Sequence, residues 1–215
     1  VVKLPPTFLE KYMAANWMRR TFMVAACASA ALLAACGSST IESAISPQRI
    51  ISFGDGMSDV GQNGAKYTVN DGTVNNWTLQ VASGYGKPLI ASSAGGQSYA
   101  AGNARITAKP DAAGSNDTLT IKEQVDKFLA SNTFTKDDLV LVSGGASDLI
   151  ANMAAVNAGT MTDAQMVDAA EQSGKDLAAQ VKRLVSAGAP HILVVGTYTL
   201  SVSPWATRIA RTSLL

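Results

Sequence analysis

The stretch that decides the fold is RIISFGDGMSDVG, residues 49–61. Its first five residues are a short and mostly apolar run, which predicts a strand buried in a sheet, and FGDG at residues 53–56 predicts the turn that leaves this strand. The runs DLVLV at residues 138–142 and HILVV at residues 191–195 have the same apolar character. These three runs therefore predict strands, and the first two end in the glycine-containing loops FGDG and SGGASD.

Segments of helical character alternate with these strands. Residues 120–130 carry apolar side chains at helical spacing, and residues 77–83 are long enough for one or two helical turns. Residues 98–106 are expected to form a loop and a short strand. Strands that alternate with helices predict βαβ units, which build a parallel sheet with helices on both faces. The predicted fold class is therefore α/β, with a central parallel sheet.

The longest predicted helix begins at Thr162. Gln165 follows three residues later, which is the spacing of a capping box, and Gly188 and Pro190 mark the end of the helix. The predicted apolar face of this helix consists of Val167, Ala170, Gly174, Leu177, Val181, Leu184 and Val185.

The composition of the chain argues against several classes of binding partner and cofactor. The chain has 215 residues, with 17 basic and 16 acidic side chains and a formal net charge of +1. No long basic or acidic run occurs, which argues against nucleic acid as a partner. A single histidine and the lack of a Cys/His cluster argue against a zinc site, and no glycine-rich phosphate-binding motif is present. The sequence therefore predicts one substantial domain without a cofactor.

The segment MRRTFMVAACASAALLAA, residues 18–35, is typical of a secretory signal peptide. Its apolar part is shorter than the roughly 20 residues that a transmembrane helix needs. The sequence LAACG at its end resembles a bacterial lipobox, which implies cleavage before Cys36 and acylation of the Cys36 thiol. An ordinary signal peptide is the alternative. Residues 36–47 are then a tether, and residues 1–17 are expected to be an upstream extension, with Met18 as the true start.

Three blocks of the remaining chain resemble the GDSL or SGNH family of lipases and esterases. FGDGMSDVG at residues 53–61 is similar to the first family block, usually FGDSxSDxG. QSYAAGNA at residues 97–104 is similar to the second, usually NFAxGGA, and DLVLVSGGASD at residues 138–148 to the third, which ends GxND. The resemblance covers residues 48–215. It implies a three-layer, flavodoxin-like α/β/α fold and hydrolysis of carboxylic esters through a serine nucleophile.

The resemblance assigns roles to four positions. Gly56 stands where the family has its nucleophilic serine, and Ser147 stands where it has an asparagine that stabilises the oxyanion. By the same resemblance, the N–H of Gly102 corresponds to a second oxyanion donor. Asp55 corresponds to a residue that supports the turn. The family takes its base from a DxxH block near the C-terminus, and no DxxH follows residue 148 here. This chain is therefore expected to be catalytically impaired.

Ser58 and His191 are the remaining candidates for a nucleophile and a base. Ser58 lies two residues after Gly56, in what is expected to be a first helical turn, and this points its side chain away from the nucleophile direction. His191 opens a predicted strand, which favours a structural role at a strand edge. Neither residue is expected to replace the missing group.

The last segment, residues 196–215, resembles the stretch in bacterial family members where a long active-site loop begins. The chain is therefore expected to hold the first two-thirds of a hydrolase domain, with an apolar sheet edge left exposed. Two functions remain open. One is an impaired hydrolase of acyl esters or lipids, anchored by lipid in the bacterial envelope at the outer membrane, or secreted if the lipobox is not used. The other is a non-catalytic envelope lipoprotein that binds an acyl or glycan ligand or a partner.

Overall fold

The computed structural model describes residues 45–209. Its three strands, β1 (Arg49–Phe53), β2 (Asp138–Ser143) and β3 (His191–Val195), form one parallel sheet in the order β1-β2-β3. All three strands predicted from the apolar runs are confirmed. The predicted signal peptide, Cys36 and most of the predicted tether lie outside the described residues.

Helices lie between the strands, as an α/β fold requires. Two of them connect β1 to β2, two connect β2 to β3, and one follows β3. They are α1 (Trp77–Gly84), α2 (Ile121–Ser131), α3 (Ala146–Asn157), α4 (Asp163–Ser186) and α5 (Pro204–Ile209), and two short 3-10 helices lie at Ser92–Ala94 and Leu200–Val202. The helices predicted at α1, α2 and α4 are confirmed.

Each face of the sheet is covered by its own hydrophobic cluster. Because side chains alternate along a strand, neighbouring residues of β1 and β2 point to opposite faces. One face packs against α2 and α4, through Ile51, Phe53, Val140, Val142, Ile121, Val125, Phe128 and Leu184. The other face packs against α1, through Ile50, Leu139, Leu141 and Ala82, with Trp77 and Leu79 partly buried at its margin. The predicted arrangement of a parallel sheet between helices is therefore confirmed.

Two helices begin with a capping box. In α2, Thr120 Oγ1 accepts a hydrogen bond from the Glu123 N–H at 3.2 Å, and Glu123 Oε2 accepts one from the Thr120 N–H at 2.8 Å. In α4, Thr162 and Gln165 exchange the same two bonds at 3.2 and 2.8 Å. Each pair satisfies backbone donors that the first helical turn leaves unbonded. The start predicted for α4 is therefore confirmed.

The buried stripe of α4 agrees in part with the predicted face, because Leu184 is buried and Leu177 and Val181 pack against the core. Val167 and Val185 are 56% and 57% exposed, so their placement on the buried face is wrong. Met166 and Gln180, which the prediction left out, are buried together with Leu184. Met166 packs in a cluster with side chains of α3, and Leu184 packs in the core under the sheet. These two contacts fix the rotation of the helix about its axis and turn both valines outward.

Two segments also differ from the prediction. Helix α3 follows β2 almost directly, where the sequence predicted only the loop SGGASD. Gly145 precedes α3 with φ of 109°, a left-handed conformation that glycine adopts without strain, and α3 has no side-chain cap from this position. Residues 98–106 form no strand, because Ser98 makes only isolated bridges with Ser52 and Ala91.

The strand β3 is much more exposed than its neighbour. All six residues of β2 are buried, whereas Leu193, Val194 and Val195 of β3 are 40%, 45% and 36% exposed. β3 pairs with β2 along one side. The expected exposed apolar edge of the sheet is therefore present at β3.

Candidate functional site

The loops that follow β1 and β2 leave the sheet at the same edge. Phe53 and Val142 are paired in register, so the turn after β1 and the loop after β2 start side by side. Carboxyl ends of parallel strands are where α/β proteins place their sites. The buried Gln124 of α2 holds the first turn, because its Oε1 accepts from the Gly54 N–H at 2.9 Å and its Nε2 donates to the Gly54 carbonyl at 3.0 Å.

Asp55 joins the first turn to α3. Asp55 is 2% exposed, and its Oδ1 accepts a hydrogen bond from the Met57 N–H at 3.1 Å. Burial raises the pKa of Asp55, and the backbone N–H groups of Met57, Ala146 and Ser147 oppose the rise. A carboxylate at the first turn of a helix also interacts favourably with the helix dipole. Asp55 therefore places a negative charge beside the first turn of α3.

Gly56 lies against the ring of Tyr67. A Cβ added at Gly56 would lie 2.5 Å from Tyr67 Cδ1, and a Cβ added at Gly102 would lie 2.2 Å from Tyr67 Cδ2. The ring is therefore seated between the two glycines, and its hydroxyl donates to Asn103 Oδ1 at 2.7 Å. We call the space between Gly56, Gly102 and Asn103 the ring slot. The Tyr67 ring fills the volume that a serine side chain at position 56 would need.

Asp59 engages the N–H that the family resemblance assigns to the oxyanion. The Gly102 N–H donates to Asp59 Oδ2 at 2.8 Å, and the Gly61 and Gln62 N–H groups donate to Asp59 Oδ1, each at 2.8 Å. Asp59 is 2% exposed. An anion that develops beside this carboxylate would be repelled by it. The oxyanion role of Gly102 would therefore require this hydrogen bond to open.

Ser58 points into the protein, away from the ring slot. Its hydroxyl is hydrogen-bonded to the Ser143 hydroxyl at 2.6 Å and accepts from Trp77 Nε1 at 3.0 Å. Ser58 is fully buried, and its Oγ would lie 2.9 Å from a Cβ added at Gly54. This arrangement links the turn to β2 and α1. It leaves no space in which a substrate carbonyl could approach the hydroxyl.

Ser147 and Asp148 lie in the first turn of α3 and are 5% and 3% exposed. Asp148 accepts from the Ile106 N–H at 3.0 Å and forms an ion pair with Arg105 Nε at 3.2 Å. Burial raises the pKa of Asp148, and the Ile106 N–H and the Arg105 charge oppose the rise. The loop that carries Gly102 is thereby fastened to α3, which brings the second and third blocks together.

His191 lies at the other end of the sheet. It is the first residue of β3 and pairs in register with Leu139, the second residue of β2. Gly56 and Ser147 follow the opposite, carboxyl ends of the strands. The structure therefore brings Asp55, Gly56, Gly102 and Ser147 to one edge but does not bring His191 to them.

Three residues of this edge were not identified from the sequence: Tyr67, Gln124 and Arg105. Tyr67 is the single aromatic residue in the polar segment 62–76. We call this segment the tyrosine loop. An isolated aromatic side chain in a polar loop is the signal that could have identified Tyr67, because loops carry such residues where they contact a site. Gln124 and Arg105 have no comparable signal, since their partners are far away in sequence.

Two apolar cavities flank the end of β2. The first, of about 170 Å³, is lined by Met57, Trp77 and Tyr198 among others. The second, of about 280 Å³, lies between α3, α4 and the end of β3 and is lined by Ile106, Leu149, Gly174 and Leu177 among others. Both share the lining residues Gly144, Gly196 and Thr197. A third and more polar cavity of about 350 Å³ lies beside Gln62, Ser92, Ser93, Tyr99, Thr118 and Lys127.

Within residues 45–209, no group of three or more His, Cys, Asp or Glu side chains is arranged to hold a metal ion. No helix in the same part of the chain is long and apolar enough to cross a membrane. The sequence matches no family model, and no curated protein matches it. The function is therefore inferred from the geometry of the site and from the resemblance of its motifs.

Proposed function

We propose that this chain is a GDSL-type member of the SGNH ester hydrolases whose own site does not hydrolyse esters. The observation that carries the proposal is the ring of Tyr67 between Gly56 and Gly102, at distances that leave no room for a side chain at either glycine. The family-like motifs surround this position. Their turn and loop are intact, while the position of the nucleophile is filled by an aromatic ring.

The requirements of acyl transfer support the loss of activity. The reaction needs a nucleophile, a base within hydrogen-bonding distance and donors for the oxyanion. Gly56 has no hydroxyl, and the Gly102 N–H is bonded to Asp59. His191 is at the far end of the sheet. All three requirements are unmet among the described residues.

Binding of an acyl ligand without hydrolysis is the second candidate function. The two apolar cavities at the end of β2 favour it, because apolar cavities of this size hold hydrocarbon groups more readily than water. Lipid attachment at Cys36 would keep such a protein in the bacterial envelope, at the membrane that supplies acyl chains. This function and the loss of catalysis are compatible with each other.

Turnover of p-nitrophenyl butyrate tests the first proposal. We expect no hydrolysis above background from the wild-type chain, or from the Gly56→Ser/Tyr67→Ala/Ser147→Asn variant, because neither has a base at the site. Hydrolysis by the wild-type chain that a serine-directed phosphonate abolishes would overturn the proposal. Loss of that activity in Ser58→Ala would then identify Ser58 as the nucleophile.

Displacement of a fluorescent fatty acid tests the second function. The Gly174→Leu variant should weaken binding, because a larger side chain at this open position projects into the cavity that Gly174 lines. Val167→Leu is the matched control, since Val167 lies on the exposed side of the same helix. Equal affinity for both variants, or no binding by the wild-type chain, would remove the acyl-binding function.

A further inference from the structure

We propose that the ring slot is a binding site for a phenol ring, which Tyr67 occupies in this structure and which a free phenolic compound occupies when Tyr67 leaves. The proposal does not depend on ancestry among the hydrolases. It follows from the way in which the slot holds the tyrosine ring, from the bonds that build its walls and from the weak attachment of the tyrosine loop.

The slot recognises both the shape and the hydroxyl group of its occupant. The two glycines leave a gap that a flat ring can enter. A Cβ added at either glycine would lie 2.5 Å or less from a carbon of the Tyr67 ring. Asn103 Oδ1 accepts from the phenol hydroxyl at 2.7 Å. Asn103 has φ of 62°, a left-handed conformation that is uncommon outside glycine. The surrounding structure thus holds the side-chain amide of Asn103 where the Tyr67 hydroxyl can donate to it.

The walls of the slot are built without Tyr67. Asp59 holds the Gly102 N–H, and the Asn103 carbonyl accepts from the Ala112 N–H at 3.1 Å. Next to Gly102, the Ala101 N–H donates to the Gly54 carbonyl at 3.1 Å. Because these bonds persist when the ring is removed, we expect an open cavity rather than a collapsed one, as in protein cores that keep a cavity after a large side chain is deleted.

The middle of the tyrosine loop, residues 65–74, is attached to the body by few hydrogen bonds. Between residues 65 and 74, the hydrogen bonds of the described chain stay within the loop, except for the bond from Tyr67 to Asn103. Tyr67 itself is 51% exposed. Segments with few buried contacts and few bonds to the body open at low free-energy cost. The ring can therefore leave the slot while the rest of the domain stays folded.

The chemical class of ligand follows from these contacts. A planar aromatic ring fits between the glycines, and a hydroxyl group opposite the point of entry reaches Asn103. p-Cresol is the side chain of tyrosine as a free molecule, so it is the matching probe. Toluene has the same ring without the hydroxyl and should bind more weakly, because it makes no hydrogen bond to the Asn103 amide oxygen.

The experiment measures the thermal unfolding of the full chain with and without p-cresol. In Tyr67→Ala, p-cresol should raise the unfolding temperature by about 3 °C, since a ligand that binds only the folded state stabilises it, and toluene should raise it less. The wild-type chain should shift less than the variant, because Tyr67 competes. Val74→Ala is the matched control, because Val74 is 54% exposed in the same loop and lines neither the slot nor the apolar cavities, and it should respond as the wild type does.

Two results would overturn the proposal. One is a p-cresol response of Tyr67→Ala that equals that of Val74→Ala. The other is a response that survives in Tyr67→Ala/Gly102→Val, where the added side chain fills the slot. If Tyr67→Ala does not fold, an NMR titration of the wild type decides the matter. p-Cresol must then shift the amide signals of Gly56 and Gly102, and unchanged signals would refute the proposal.

Discussion

Two sets of positions in the same loops differ sharply in what the fold requires of them. Asp55, Asp59 and Asp148 are each 2% or 3% exposed, and each accepts hydrogen bonds from backbone N–H groups. Gly56 and Ser147 occupy the positions that the resemblance assigns to the reaction, and the side chain at 56 is absent altogether. The first set matches the family motifs, and the second set departs from them.

The three aspartates stabilise the fold, whereas positions 56 and 147 would matter only for a reaction. A buried carboxylate that satisfies several N–H groups cannot be replaced without leaving these donors unbonded, which costs stability. A nucleophile or an oxyanion donor does not satisfy backbone N–H groups of the turn, so it can be lost while the turn keeps its structure. The motif residues around Gly56, where the resemblance places a nucleophile, are therefore explained by the architecture of the turn.

The largest effect that tests this comparison is expected from Asp59→Ala. The substitution leaves three partly buried N–H groups without their acceptor, and we expect a loss of about 3 kcal/mol in the free energy of unfolding. Urea denaturation measures it. Asp117→Ala is the control, because Asp117 is exposed, and it should change stability by less than about 0.5 kcal/mol. Similar losses in both variants would contradict the structural role of Asp59.

A second test compares carboxylates at the two ends of the sheet, Asp138 and Asp55. Burial alone would raise the pKa of Asp138, but hydrogen bonds from Arg49 and Thr135 outweigh it and lower the pKa. Its stabilisation is therefore complete above the unfolded pKa of about 3.9 and is lost as the pH falls through the lower folded pKa. Burial raises the pKa of Asp55, so the cost of its ionised form grows as the pH rises above about 3.9.

The two asparagine variants should therefore have opposite pH dependence. Asp138→Asn should cost about 2 kcal/mol at neutral pH and less in acid. The difference in unfolding free energy between the wild type and Asp55→Asn should instead be larger at about pH 4 than at about pH 7. Urea titrations at each pH measure both differences. The same sign of pH dependence in the two variants would contradict the assigned environments.

The smallest effects are expected at two glycines. Gly102→Ala should lower stability by about 1 kcal/mol, because its Cβ would lie 2.2 Å from the Tyr67 ring and displace it. Gly174→Ala is the matched control in α4, where no atom lies within 4 Å of the added Cβ, and it should raise stability by about 0.5–1 kcal/mol. A gain in both variants would indicate that the ring does not occupy the slot.

Local sequence patterns predicted the strands and helices whose apolar runs or capping residues lie close together in the sequence. The apolar runs identified all three strands, and the pair Thr162 and Gln165 identified the start of α4. Helix α3 was missed because Gly145 at its start has no capping side chain, so the local sequence carries no start signal there. The predicted face of α4 was wrong at Val167 and Val185, because the packing of Met166 and Leu184 turns these two valines outward.

The candidate site was predictable only in part for the same reason. The motifs identified Asp55, Gly56, Gly102 and Ser147, and the structure brings these residues to one edge of the sheet. The occupant of the ring slot and the bond from Gly102 to Asp59 depend on side chains that meet only in the folded chain. Spacing along the sequence gives no measure of such contacts.

The most direct test of the central claim is the nuclear Overhauser spectrum of the folded chain with ring-labelled tyrosine. Cross-peaks are expected from the Tyr67 ring protons to the Hα protons of both Gly56 and Gly102, because the ring lies between them. A well-dispersed spectrum that lacks both cross-peaks would contradict the placement of the Tyr67 ring in the slot beside Gly56.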